Sequence, residues 1–297
     1  GKSTYEYQST DSKRAYIVSM NRPLNQYFTT DYVRYVEPFR AWLYQQGTQY
    51  IPEFAFQYDI ESIPNLFQNY KLVLFVGHDE YWTRNQLNAV KNYVNQGGTV
   101  GIFSGNTSWW QVRYEDNGRT LVSYKSDGSG ITKDPLFGTS QDSLVTVNFF
   151  DNPVYYPENQ ATGLGWRKGG YVQRGGILPT SAGRGGYNDL FYTQSWVYRG
   201  TGLTYGDTLG KRTGPGELGI VGYEVDGCEF TGYVSGNPTA PLVTGTDGTP
   251  LTYKILGLSE AYYSLLPDRH AVMGMYRTKG GGWVFNAATI YWSYGLQ

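Results

Sequence analysis

The sequence predicts an α/β layered core carrying a large β-rich insertion, and three observations carry that prediction. Residues 71–106 compress a strand, a polar cluster, a helix and a second strand into one βαβ unit. Helical and strand patterns alternate before residue 110. After Trp110 the chain changes to short alternating strands separated by Gly, Asp and Asn turns, which is the pattern of antiparallel sheet.

Taken in order, residues 15–20 read as a first strand ending at Asn21-Arg22-Pro23. Residues 35–46 place Phe39, Trp42 and Leu43 on one helical face, with Pro38 tolerable in the first turn and Gly47 as the stop. Residues 50–58 are expected to form a second strand. The apolar run 72–76 is too short to span a membrane and suits a strand buried on both faces. Thr83-Arg-Asn-Gln86 is a capping box; Leu87, Val90 and Val94 follow at helical spacing until Gly97-Gly98, and 100–103 re-enters the sheet. The opening therefore reads β-α-β-β-α-β. Its strand ends carry residues 78–82 and 104–110 to one edge, where open α/β sheets place their chemistry. Further strands are expected at 112–114, 120–125, 143–150, 219–224, 254–258, 271–276 and 282–286, with loops at 126–135 and 180–189 and a helix-like tail at 290–296. No repeat of 20–50 residues is visible. One domain spans 1–297, with an α/β core at 1–110, the insertion at 111–270 and a return to the core at 271–297.

Composition narrows the function. The 297 residues carry a net charge of −1 and only 16% charged side chains, so no basic surplus points to nucleic acid. Tyr (29) and Gly (39) are abundant, a balance more common at the cell surface or outside the cell. No stretch reads as a membrane span or a signal peptide, and no membrane insertion is expected. Cys228 is alone, which removes intrachain disulfides and thiolate metal sites.

The candidate chemistry lies on a few residues. His78-Asp-Glu-Tyr81 sets four side chains able to carry protons or bind a cation at a strand end, where they must be paired or exposed. His270, the second histidine, reads as a structural one, and no HExxH or HxH spacing offers a two-histidine metal site. Ser104 occupies the place of a nucleophile elbow without the GxSxG pattern, and His78 is its only possible partner. Asn106-Thr-Ser is also a glycosylation sequon. Trp109 and Trp110 either stack on a ligand or cover the sheet. Glu224 and Asp226, two apart on a strand, share one face. Arg167-Lys-Gly-Gly and Arg184-Gly-Gly resemble no phosphate loop, because no strand leads into them.

These motifs resemble a known family. Gly77-His-Asp-Glu-Tyr-Trp82, the helix ending in Gly97-Gly98, and Phe103-Ser-Gly-Asn106 followed by Trp110 are similar to the large (beta) subunit of N,N-dimethylformamidase. The likeness extends through Ser19-Met-Asn-Arg22-Pro23, Thr162-Gly-Leu-Gly-Trp-Arg167, Trp196 with Gly200-Thr-Gly-Leu203, and Gly219-Ile-Val-Gly-Tyr-Glu224-Val-Asp226. It closes on Gly281-Gly-Trp-Val-Phe-Asn286 and Trp292-Ser-Tyr-Gly-Leu296. The resemblance implies a flavodoxin-like core of the class I glutamine amidotransferase type, with their cysteine position near Phe103 and so no glutaminase chemistry. It implies an aromatic, glycine-rich strand upstream of Gly1. It also implies mononuclear iron held by two tyrosinates and one glutamate. Carried over, Tyr81 matches the His-x-Glu-Tyr motif, and Tyr58 is one option for the second tyrosine. The glutamate is expected before Trp-Arg, where this chain reads Gln160-Ala-Thr-Gly and offers only Glu158 nearby.

Two functions follow as expectations. The first is a hydrolase of C–N (amide) bonds, secreted or at the cell surface, with a pocket made by His78, Glu80, Tyr81, Asn106 and Glu224, and with Trp110 and Asp226 toward the substrate. Tyr81 is then metal ligand or proton donor, and His78 or Glu80 the acid–base group. The second is a catalytically silent extracellular module that is structural, filament-forming or carbohydrate-binding. The expected partners are an upstream segment of the same protein and further copies of the chain.

Overall fold

The computed structural model describes residues 2–7, 9–22, 31–125, 130–172, 185–211, 218–263 and 268–296. Pro23, Arg184 and parts of the expected loops at 126–135 and 180–189 lie outside them. The centre is a six-stranded mixed sheet. Its order is β2 (Leu72–Val76), β4 (Thr99–Phe103), β15 (Trp283–Asn286), β14 (His270–Arg277), β13 (Lys254–Glu260) and β9 (Asp189–Leu190). The first three strands run parallel, with Val73 and Val284 both opposite Val100, and the remaining pairs are antiparallel.

Helix α3 (Arg84–Asn95) makes the crossover between β2 and β4 and begins where its cap dictates. The Thr83 hydroxyl accepts from the Gln86 N–H at 3.1 Å, and the Gln86 side chain accepts from the Thr83 N–H at 2.9 Å. Its Leu87, Val90 and Val94 are buried with Val100, Ile102 and Val284 on one face of the sheet. The period of two along each strand sends Trp283, Phe285, Met273 and Met275 to the other face, into a second core. Helix α1 (Glu37–Gln45), which continues a π-helical turn over Tyr32–Val36, covers this face together with the closing 3₁₀ turn Ile290–Leu296. The Phe103 ring lies 4.8 Å from Phe39 and 5.5 Å from Trp292. The sheet is thus packed on both faces, one core to each.

Five expectations need correction. The strand expected at 219–224 begins only at Tyr223 and runs to Gly227, since the Thr289 hydroxyl accepts from the Gly222 N–H at 3.0 Å in place of a ladder partner. Residues 50–58 form no strand. The chain passes from the 3₁₀ turn Thr48–Tyr50 to helix α2 (Gln57–Ser62), because the Asp59 carboxylate accepts from the Phe56 N–H at 2.7 Å and fixes a helix start. The β-like residues Ile51, Phe54 and Phe56 are left exposed. The first strand, β1 (Ile17–Ser19), does not join the central sheet. It pairs with β7 (Thr120–Val122), which also pairs with β6 (Arg113–Glu115), in a separate antiparallel sheet. Residues 143–150 form no strand, although 145–149 are buried. Asp134 accepts from the Thr146 N–H at 2.8 Å, and the backbone bonds that remain are split between two neighbours, from the Gln111 N–H to the Val147 carbonyl at 2.8 Å and from the Lys125 N–H to the Thr146 carbonyl at 2.7 Å, leaving one isolated bridge, Trp110–Asn148. Strand β2 is an edge strand with Leu72 51% exposed, so it is not buried on both faces.

Residues 111–270, expected as an insertion, supply β9 and β13 to the central sheet. They also form the antiparallel pair β8 (Gly165–Val172) and β10 (Tyr223–Gly227), which packs against β14. Strand β10 brings the remaining acidic residues to the site.

Candidate functional site

The site forms where two loops leave the ends of β2 and β4. Gly77, at φ +91°, turns the chain after β2 and ties it to the Phe103 carbonyl at 3.0 Å. The two loops then zip together as a short parallel pair, β3 (Tyr81–Trp82) with β5 (Trp110–Gln111). Ser108 N–H donates to the Asp79 carbonyl at 2.8 Å and Trp110 N–H to the Glu80 carbonyl at 2.9 Å. This confirms that residues 78–82 and 104–110 meet at one edge.

The turn after β4 is held from beneath. Asp226, fully buried on β10, accepts from the backbone N–H groups of Asn106 at 2.9 Å and Thr107 at 3.1 Å. Asn106 and Ser108 sit in the left-handed region at φ +56° and +50°. A Cβ on Gly105 would strike the Glu224 carbonyl oxygen, so glycine is what lets the turn approach β10 this closely. Two residues before Asp226, Glu224 meets His78, Oε2 to Nε2, at 2.6 Å. The spacing of two on β10 thus gives Glu224 to the histidine and Asp226 to the turn.

Glu80 is the second centre. It is 4% exposed; its Oε1 accepts from the Trp110 indole N–H at 2.8 Å and its Oε2 from the Tyr5 hydroxyl. The Tyr5 and Tyr81 rings meet edge to face with centroids 6.3 Å apart. Lys125 Nζ donates to the Tyr81 hydroxyl at 2.7 Å and lies 3.6 Å from the centre of the Tyr5 ring. Its backbone is left-handed, at φ +62°. Two phenols, a carboxylate and an ammonium therefore share one buried cluster beside the His78–Glu224 pair.

Burial raises Glu80 above the ordinary carboxyl value, although the charges of His78 and Lys125 oppose it. Burial pulls His78 down, but the hydrogen bond and charge of Glu224, with Glu80 and Asp31, outweigh it and bring the imidazole to about 9. Tyr5 and Tyr81 are lifted well above the ordinary phenol value by burial and by the charge of Glu80. Burial also brings Asp79 and Asp226 to about 7 each.

Other candidates fall elsewhere. The Ser104 hydroxyl faces the Gly105 carbonyl at 3.4 Å, while His78 is engaged by Glu224, so no serine–histidine pair forms. Asn106 is 5% exposed, which closes the sequon to glycosylation. His270 packs edge to face against Phe230 and Tyr233, as a structural histidine does. Cys228 is free, buried in the core, and raised well above an ordinary thiol by burial. Tyr58 packs edge to face on Tyr114 rather than on Tyr81. Tyr5 and Lys125 were not singled out by sequence. No local motif marks either residue, and only the tertiary fold brings them to Glu80 and Tyr81.

Glu158 does not reach this cluster. It is fully buried against Gly165, and among the described residues neither carboxylate oxygen has a hydrogen-bond partner. Burial raises it to about 8. A carboxyl raised in the fold adds stability that is complete below its unfolded value of about 4.3 and is lost as pH rises through about 8. Glu158→Gln is expected to raise the melting temperature at pH 9 relative to wild type and to narrow the fall between pH 5 and pH 9. An unchanged pH dependence would contradict this.

A histidine–carboxylate pair, with Glu224 buried and His78 partly open to solvent, thus stands beside a carboxylate–phenol cluster, both at strand ends. Along residues 1–297 the chain matches the family described as N,N-dimethylformamidase beta subunit-like, C-terminal, and it belongs to that family. A search of curated proteins finds no match. Among the described residues, no helix is long and apolar enough to cross a membrane.

Proposed function

We propose that this domain hydrolyses C–N bonds of the amide class. The observation that carries the reading is the convergence of Tyr5, Glu80 and Tyr81 beside the His78–Glu224 pair. Family membership supports the same reading.

The donor set fits the iron that the family resemblance implies. Among the described residues no cluster of three His, Cys, Asp or Glu side chains could hold a metal. Tyr5, Tyr81 and Glu80 instead offer hard oxygen donors, which suit ferric iron. Glu80 takes the part of the glutamate sought near Glu158, and Tyr5 that of the second tyrosine sought at Tyr58. When bound, the ion would polarise the amide carbonyl as a Lewis acid.

The chain's own residues supply the rest. Lys125 Nζ, at 2.7 Å from the Tyr81 oxygen, favours the phenolate form. Trp110 and Tyr5 fix the two oxygens of Glu80. His78 and Glu224 hold a proton between Nε2 and Oε2. With the imidazole at about 9 the pair starts protonated: His78 gives its proton to the departing nitrogen and the pair takes one back from the water, so that water adds across the broken C–N bond. Asn106 is positioned by Asp226, and its buried side-chain oxygen has no partner among the described residues, which leaves an acceptor for a substrate N–H or a water.

The parallel β2–α3–β4 unit with its site at the strand ends supports a core of the class I glutamine amidotransferase type. The Tyr- and Gly-rich composition supports a place outside the cell or at its surface. The test is release of amine from a panel of small amides by the iron-loaded protein, with His78→Ala beside it. Turnover that falls roughly 10²-fold or more in His78→Ala supports the reading. Absence of amine from every amide contradicts it.

A further inference from the structure

A cavity of about 430 Å³ opens directly onto the cluster, and the hydrolytic chemistry leaves most of it unused. Its inner wall is shared with the site through Tyr5, Trp110 and Lys125. Its lining also includes Tyr7, Trp109 and Tyr263. Pockets of this size accept drug-sized molecules, and an amide of a few heavy atoms would leave most of the space to water.

We propose that the substrate amide carries an aromatic ring and that Trp109, Trp110 and Tyr7 enclose that ring while its amide reaches the Glu80–Tyr81 cluster. This proposal rests on the hydrolase reading for the chemistry but not for the binding. The indoles of Trp109 and Trp110 meet at 69° with centroids 5.8 Å apart, and the rings of Tyr5 and Tyr7 at 49° with centroids 5.4 Å apart. Tilted faces around a hollow offer a guest ring both face and edge contacts, the geometries aromatic pairs prefer. A sugar is better served by one flat platform fringed with side-chain acceptors. Among the described residues the acceptor side chains at the cavity are few, Asn148 and Glu6 besides hydroxyls. Tyr7 is 78% exposed, so a guest ring would also cover apolar surface that now faces water.

The test is titration of the full-length protein with acetanilide, acetamide and N-acetylglucosamine, followed by tryptophan fluorescence, together with initial rates of hydrolysis of the two simple amides. Wild type, Trp109→Ala and Trp109→Phe are compared; the phenylalanine variant keeps an aromatic face and controls for folding. Acetanilide is expected to bind at least tenfold more tightly than acetamide, to lose about tenfold in Trp109→Ala and to recover most of it in Trp109→Phe. The proposal is overturned if acetanilide binds no more tightly than acetamide, if Trp109→Ala leaves its binding unchanged, or if N-acetylglucosamine is the preferred ligand. Hydrolysis of acetamide without ring binding overturns the ring proposal alone. Ring binding without hydrolysis of either amide upholds it and overturns the hydrolase reading.

Discussion

Glu80→Gln is expected to lower amide turnover by roughly 10³-fold, the scale of removing a preorganised charged group from a catalytic centre. The substitution keeps the size of the side chain but removes its charge. It also leaves one oxygen where two accepted, from Tyr5 and from Trp110 at 2.8 Å. One of those donors is then orphaned in a buried place, at a cost of ~1–3 kcal/mol of stability. Bound iron should fall with turnover, because a hard anionic donor is gone. Turnover within threefold of wild type, measured on folded protein, would show that Glu80 is not at the chemistry.

Asp226→Ala is expected to be the most destabilising single change around the site. It strips the acceptor from two buried N–H groups, those of Asn106 and Thr107, at ~1–3 kcal/mol each. A loss of about 2–5 kcal/mol would lower the melting temperature by roughly 3–8 °C in a chain of this size. Activity should fall as well, because the released turn carries Asn106 and presses through Gly105 on the Glu224 backbone. Asp226→Asn, which keeps one oxygen acceptor, should lie between wild type and alanine by calorimetry. A shift of less than about 2 °C for Asp226→Ala would mean that the turn is held by other means.

The parts of this fold that local chemistry dictates were legible in the sequence. The Thr83–Gln86 cap, the apolar spacing of Leu87, Val90 and Val94, and the glycines after them specify α3 and its parallel strands without reference to the rest of the chain. So does the meeting of His78 with Glu224, to the extent that a strand end and a period of two place each of them. Residues 50–58 misled because β-propensity follows burial, and here one carboxylate, Asp59, decided for helix while the aromatic residues stayed outside. Residues 143–150 misled in the opposite way. Residues 145–149 are buried like a strand, but Asp134 and two different neighbours share the backbone that one strand would otherwise pair. Tyr5 and Lys125 were illegible for a third reason. Their contacts with Glu80 and Tyr81 span 75 and 44 positions and carry no local pattern, and neither type stands out in a chain with 29 tyrosines.

The central claim is that Tyr5, Tyr81 and Glu80 form one oxygen donor set. It is tested most directly by the visible spectrum of the purified protein titrated with ferric iron. Both phenols are held protonated by burial and by Glu80, so only a strongly bound cation would ionise them. The account predicts stoichiometric binding with a tyrosinate-to-iron charge-transfer band, weakened in Tyr5→Phe and in Tyr81→Phe and accompanied by loss of bound iron in Glu80→Gln. A protein that folds, binds no stoichiometric iron and develops no such band would contradict it, as would a band unaffected by either tyrosine substitution.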